Sequence, residues 1–155
     1  MRETNPFAVM LIDLDGFKPI NDQFGHATGD QVLREIGARL KSRSRQSDIL
    51  GRLGGDEFLL LAEGVSSTSE CAYLCNQFLK LLREPIKCIV DNQQRTLQVD
   101  ASIGVAFCPE HTTDAELLLL FADRAMYSVK QSGRGNWRIY RREQSTSDTE
   151  SEGLA

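Results

Sequence analysis

Residues 7–14, Phe-Ala-Val-Met-Leu-Ile-Asp-Leu, limit the possible folds more than any other stretch, because both alternating sets of positions are apolar until Asp13. A strand sends successive side chains to opposite faces, so apolar residues in both sets demand cover on both sides. This segment therefore belongs at the centre of a sheet. It ends in Asp13-Leu14-Asp15, and if the extended conformation persists, the period of two points both carboxylates the same way. Half-buried carboxylates need compensation: either a cation sits beside them, or they accept hydrogen bonds from nearby backbone amides.

A second apolar run, residues 58–62, follows Arg52-Leu53-Gly54-Gly55-Asp56-Glu57. Two glycines supply the positive φ of a tight turn, so the pattern predicts strand, turn and strand with two acidic residues at the tip. Such a tip is either a solvated hairpin end or a place where a hard cation or a phosphate-bearing ligand meets carboxylates.

Between these strands, Gly16 to Asp22 reads as a turn-rich link in which Lys18 and backbone amides are candidates for holding phosphate oxygens, and Asn21 is either a base reader or a turn residue. Thr28 and Gln31 have the spacing of a capping box opening a helix. Val32, Leu33, Ile36 and Leu40 form its inward stripe, with Arg34, Arg39 and Lys41 expected in water. Arg45 and Asp48 flank two small polar residues just before the hairpin; the pair is either a local salt bridge or a fork that grips a purine edge and a phosphate.

Beyond the hairpin, Ser67 with Glu70 marks a helix start, and Cys71, Leu74, Cys75, Phe78 and Leu82 recur at helical spacing until Pro85 ends the pattern. A hairpin is expected from 86–90 and 95–107 through Asp91-Asn92. Thr113 and Glu116 suggest a further capping box, followed by a helix that turns Leu117, Leu118, Phe121, Ala122, Ala125, Met126 and Val129 inward. Lys130 and Arg134 at its end either complement the helix dipole or converge on phosphates. Residues 136–140 read as a short last strand. This order lacks a steady strand-helix alternation and predicts an α+β domain, with helices packed on a mostly antiparallel sheet.

A chain of 155 residues with 41% hydrophobic and 26% charged residues supports one domain with a real core. A net charge of −4 argues against a general nucleic-acid binder, so cations for an anionic ligand must be local or supplied by a metal. Four cysteines without CxxC spacing and only two histidines give no support to a zinc site or a secreted disulfide framework. No signal peptide or transmembrane-length run is evident, and a reducing cytoplasm is the expected location. GxxxxGK[ST] and GxGxxG are both absent, which removes the main support for P-loop and Rossmann readings.

The motifs taken together resemble the GGDEF domain family of bacterial diguanylate cyclases. The resemblance rests on Asp13-Leu14-Asp15-Gly16-Phe17-Lys18, Ile20-Asn21-Asp22, Gly25-His26, Gly29-Asp30, Arg52-Leu53-Gly54-Gly55-Asp56-Glu57-Phe58, Ser102-Ile103-Gly104-Val105-Ala106, Ala122-Asp123-Arg124-Ala125-Met126-Tyr127 and 130–134. It implies a fold like nucleotide cyclase and polymerase palm domains (ferredoxin-like), and condensation of two GTP into cyclic di-GMP with release of pyrophosphate. By the same resemblance Asp13, the carbonyl of Leu14, Asp56 and Glu57 hold Mg²⁺ or Mn²⁺. Asp56 and Glu57 are then the catalytic pair, Asp56 helping to deprotonate the 3′-hydroxyl, and Asp15 is structural.

The resemblance further implies that Asn21 and Asp30 read guanine, that Phe17 and Lys18 bring backbone amides to the β- and γ-phosphates, and that Lys130 and Arg134 add positive charge there. Gly54 and Gly55 leave room for the nucleoside. Arg45 and Asp48 occupy the family's RxxD inhibitory position, where product binds. Each half-site holds one GTP, so catalysis needs a homodimer. Family members usually open with a helix and an Asp-x-Leu-Thr-x-Leu-x-Asn-Arg segment, whereas residues 1–6 alone precede the first strand here. The expected organisation is a domain over 1–141 lacking that helix, weakly active by itself, and an acidic, disordered tail over 142–155. Sensor or phosphodiesterase domains are possible neighbours in a longer protein; nucleic acid and membrane are not expected partners. The rival reading is a non-catalytic GTP- or cyclic di-GMP-binding regulatory module.

Overall fold

A computed structural model describes residues 5–142. Its elements are β1 (Phe7–Asp15), α1 (Phe17–Phe24), α2 (His26–Arg43), β2 (Ile49–Gly54), β3 (Glu57–Glu63), α3 (Thr68–Leu82), β4 (Ile86–Val90), β5 (Gln93–Leu97), β6 (Asp100–Cys108), α4 (Ala115–Gln131) and β7 (Trp137–Ile139). The expected acidic tail lies outside the described residues from position 143 onward.

The doubly apolar segment is the central strand. The main sheet has the order β2-β3-β1-β6-β7; β1 is antiparallel to β3 and β6, β2 is antiparallel to β3, and only β6 and β7 run parallel. Met10 and Ile12 enter the larger core with α2 and α3 residues such as Ile36, Leu40 and Phe78. Val9 and Leu11 pack on the opposite face with Leu118, Ala122 and Met126 of α4. A two-layer cover over an alternating strand is what its composition required, and the α+β class follows.

The contact between α4 and β6 depends on Gly104. A Cβ there would overlap the Ala122 carbonyl oxygen and the Met126 backbone nitrogen, so the helix lies directly on the strand's backbone.

Several local expectations are corrected. Residues 17–24 form helix α1 rather than a turn-rich link. Pro19 is its third residue, where a missing N–H costs nothing because first-turn donors have no intrahelical partner, and Phe17 and Ile20 bury the face three residues apart. Helix α2 begins at His26 after Gly25, which leaves Thr28 buried inside the first turn instead of capping it. Gln31 does not reach back: its side chain accepts from Ile89 N–H at 2.9 Å and donates to Ile89 C=O at 2.8 Å, fastening α2 to the β4–β5 hairpin.

Arg39 is not in water. Its guanidinium donates to the carbonyls of Leu81, Glu84 and Pro85, satisfying the C-terminal end of α3. The cap of α4 is Asp114, which accepts from Leu117 N–H, and Leu117 itself is exposed. The expected long second arm divides at Gln98-Val99, because β5 pairs only with β4 whereas β6 joins the main sheet. Ser67 does cap α3, accepting from Glu70 N–H. Cys71 and Cys75 lie buried on the inner face of α3 with their sulfurs 3.9 Å apart, and all four cysteines are free.

Candidate functional site

The C-terminal end of β1 and the tip of the β2–β3 hairpin meet because the ladder fixes their register. Asp13 pairs with Glu57 across β1 and β3, and Gly54 pairs with Glu57 across the hairpin, leaving Gly55-Asp56 as a two-residue turn. Gly54 has φ +145° and Gly55 φ +51°, conformations that require glycine at the first and favour it at the second, with open space where a Cβ would stand. Leu14 N–H donates to the Asp56 carbonyl at 3.1 Å, tying the turn to the strand end. Asp13 from β1 and the consecutive Asp56 and Glu57 from the hairpin thus gather at one sheet end.

Lys130, in the last turn of α4, donates to the Asp13 carboxylate. Burial raises the pKa of Asp13; Lys130 opposes that rise, while the neighbouring Asp56 adds to it. Glu57 is also raised, first by burial and then by Asp13, Asp123 and Asp56. Asp123 belongs to α4, and its approach to Glu57 was missed in the sequence. The available signal was spacing: Asp123 and Lys130 are seven residues apart on one helix and share a face.

The residues fit a divalent cation by two observations. Oδ1 of Asp13 is buried and has no hydrogen-bond partner, and two carboxyl groups carry raised pKa values, first through burial and then through neighbouring carboxylates. Among the described residues no three acidic, histidine or cysteine side chains already stand at ligating distance, and Asp13 Oδ2 is engaged by Lys130.

Asp15 is separate from this cluster. Its Oδ2 accepts from Ser102 Oγ at 2.7 Å and from Gly135 N–H at 3.0 Å, and Arg134 lies 3.5 Å from Oδ1. Lys130 and Arg134 therefore reach the end of β1 side by side, each facing one of its aspartates.

Phe17 and Lys18 open α1 directly after Gly16, whose φ of +85° makes the turn from β1. No side chain caps this helix end, so its first N–H groups are available to an anionic ligand. Lys18 is largely exposed and 4.0 Å from Asp22. Asn21 is half-buried on α1 and bonded to His26 Nδ1 at 3.1 Å, and Asp30 is exposed on α2. Gly29 makes room for Asn21, whose amide oxygen would meet a Cβ there.

Arg45 and Asp48 stand apart, at the other end of the hairpin, about 20 Å from its tip at the usual strand rise of about 3.3 Å per residue. Asp48 accepts from Arg45 N–H and Glu63 N–H, while the Arg45 guanidinium donates to Asp48 and to the Glu63 carbonyl. A cavity of about 180 Å³ beside them is lined by Arg45, Val65, Glu70, Tyr73 and Leu74.

Residues 1–136 match the family model described as "Diguanylate cyclase, GGDEF domain". The chain is 39% identical over 132 residues to the diguanylate cyclase TpbB of Pseudomonas aeruginosa, covering 85% of this chain and 30% of that protein. It is 36% identical over 138 residues to the cyclic di-GMP phosphodiesterase PdeR of Escherichia coli, covering 89% and 20%. It thus spans less than a third of either relative. The crystal structure of the GGDEF domain of TpbB superposes with a TM-score of 0.82 at 37% identity, covering 90% of this chain and 84% of that one.

Proposed function

The chain belongs to the GGDEF domain family of diguanylate cyclases, and from that premise we propose that it condenses two GTP into cyclic di-GMP at the interface of two copies. The observation that carries this reading is the convergence of Asp13, Asp56 and Glu57 with Lys130 at one end of the central sheet.

Asp13, the Leu14 carbonyl, Asp56 and Glu57 would hold Mg²⁺ or Mn²⁺, which when bound neutralises charge on the reacting phosphates and acidifies a nearby hydroxyl. Asp56, at the exposed turn, accepts the 3′-hydroxyl proton as that oxygen bonds to the α-phosphorus of the other GTP. The bond from α-phosphorus to the bridging oxygen breaks, and pyrophosphate leaves. A second, identical step closes the ring. Each copy positions one GTP, so the two sites must face each other to react.

The uncapped start of α1 at Phe17 and Lys18 receives the β- and γ-phosphates, supported by Lys130 and Arg134. Asn21 and Asp30 read guanine, with Asp30 accepting from N1–H and the exocyclic amine, an arrangement adenine does not offer. Gly54 and Gly55 keep the hairpin tip clear for the nucleoside. Arg45 and Asp48 bind product, and cross-linking by product dimers holds two copies in an unproductive arrangement. Among the described residues no helix is long and apolar enough to cross a membrane, which is compatible with a cytoplasmic domain of a larger signalling protein.

A second reading is a regulatory GTP- or cyclic di-GMP-binding module, favoured by the similarity to a protein named as a phosphodiesterase, of which this chain spans 20%. Purified protein incubated with GTP and Mg²⁺ and resolved by chromatography separates the two. Cyclic di-GMP supports the cyclase. Folded, concentrated protein that binds GTP and makes none supports the module.

A further inference from the structure

The turn joining α4 to β7 carries Arg134, and its backbone is unusual. Gly133, Arg134 and Gly135 have φ values of +117°, +65° and +62°, so a residue with a Cβ sits in the left-handed region between two glycines. L-residues other than glycine adopt that region at a cost. The turn holds because its backbone is bonded on both sides. Arg134 N–H reaches back to Val129 C=O at 3.0 Å, and Ile103 N–H donates to Asn136 C=O at 2.9 Å.

Gly135 is gripped from opposite directions. Its N–H donates to Asp15 Oδ2, and its carbonyl accepts from the guanidinium of Arg83 at the end of α3. Arg83 is itself fixed by Asp100, with Nε to Oδ1 at 2.8 Å. A Cβ on Gly135 would come within 2.6 Å of Asp100 Oδ2, so a side chain there would have to displace the carboxylate that holds Arg83. Asp15 is 8% exposed, also held by Ser102, and its second oxygen faces Arg134 without a hydrogen bond. A buried carboxylate so placed favours a cation beside it. Arg134 keeps 58% of its side chain exposed while paired with Asp15, so it remains accessible to a ligand.

We propose that Asp15 and Arg83 are positioning residues that clamp Gly135 and thereby set Arg134 to meet the triphosphate. This rests on the assignment of Lys130 and Arg134 to phosphate binding in the proposed function. Neither clamp residue touches nucleotide. Their effect is confined to the part of the ligand that Arg134 contacts, the β- and γ-phosphates, and does not extend to guanine, which lies with Asn21 and Asp30 on α1 and α2.

The test compares GTP and GMP affinities by calorimetry for the wild type, Asp15→Asn and Arg83→Gln, with thermal melting of each. In the clamp reading both variants bind GTP about tenfold more weakly, the scale of one charge-assisted contact, while GMP affinity stays unchanged. Unchanged GTP affinity in both variants overturns the proposal, as does an equal loss for GTP and GMP, which is the signature of a merely structural role. Should Asp15→Asn not fold, Arg83→Gln decides alone, because it removes a partly exposed side chain. A wild type that binds GTP no better than GMP overturns the phosphate assignment itself, and the two failures are thereby distinct.

Discussion

Asp13 and Glu57 stand opposite one another across the β1–β3 ladder, and both carboxyl pKa values are raised, each first by burial, Asp13 further by Asp56 and Glu57 further by Asp13, Asp123 and Asp56. A carboxyl whose folded value lies above its unfolded value binds more protons in the native state. It costs no stability while both states are protonated, and it destabilises the fold as pH rises through that window. These two carboxyl groups are therefore held at the expense of stability at neutral pH.

Glu57→Gln accordingly raises the melting temperature at neutral pH, and the gain shrinks as pH falls through the raised folded value toward the ordinary glutamate value of 4.5, below which it is gone. Mg²⁺ raises the melting temperature of the wild type more than that of the variant, because only a ligand that binds the native state stabilises it. Thermal melts across pH, with and without Mg²⁺, measure both effects.

Asp56→Ala abolishes cyclic di-GMP synthesis, by at least about a thousandfold for the loss of a group that serves both metal and proton. Its side chain sits on a turn outside the core, so the circular dichroism spectrum and melting curve stay close to wild type. Retained synthesis would remove Asp56 from the metal set.

Asp30→Ala lowers the preference for GTP over ATP by about ten- to a hundredfold, the usual range for one bidentate base contact. Competition binding with the two nucleotides reads this directly. An unchanged ratio would return base reading to Asn21 alone.

Arg45→Ala relieves product inhibition with little loss of stability, within about 1 kcal/mol, since its side chain is 56% exposed. Asp48→Ala costs more, about 2 kcal/mol, because Asp48 is 6% exposed and leaves the N–H groups of Arg45 and Glu63 without their acceptor. Initial rates with added cyclic di-GMP, beside denaturant melts, separate the regulatory effect from the structural one.

Gly104→Ala destabilises the fold by about 3 kcal/mol, since the added methyl must push α4 off β6. Urea unfolding at neutral pH gives the figure. The shift also displaces Lys130, so synthesis falls with it.

What could be read from the chain was decided within a few residues. The period of residues 7–14 demanded a central strand, Gly54-Gly55 demanded a hairpin, and Ser67 could cap α3 because its partner, Glu70 N–H, lies three positions away. The carboxylates proposed to hold the metal were singled out by motif, since the resemblance names them by local pattern. Where local signals competed, they misled. Pro19 and Gly16 looked like a turn, yet both are compatible with a helix start, and burial of Phe17 and Ile20 decided for the helix. Gln31 had the spacing to cap its own helix but found a better pair of partners in Ile89.

The remaining relationships join groups far apart in sequence, and no periodicity reports on them. Ser102 lies 87 positions from Asp15, Gly135 lies 120 from it, and Lys130 lies 117 from Asp13. Such pairs are set by strand register and by how closely α4 can approach β6 at Gly104. The residue types at the site were written in the sequence; their partners, their pKa directions and the clamp on Gly135 arose only when packing removed water and brought distant charges together.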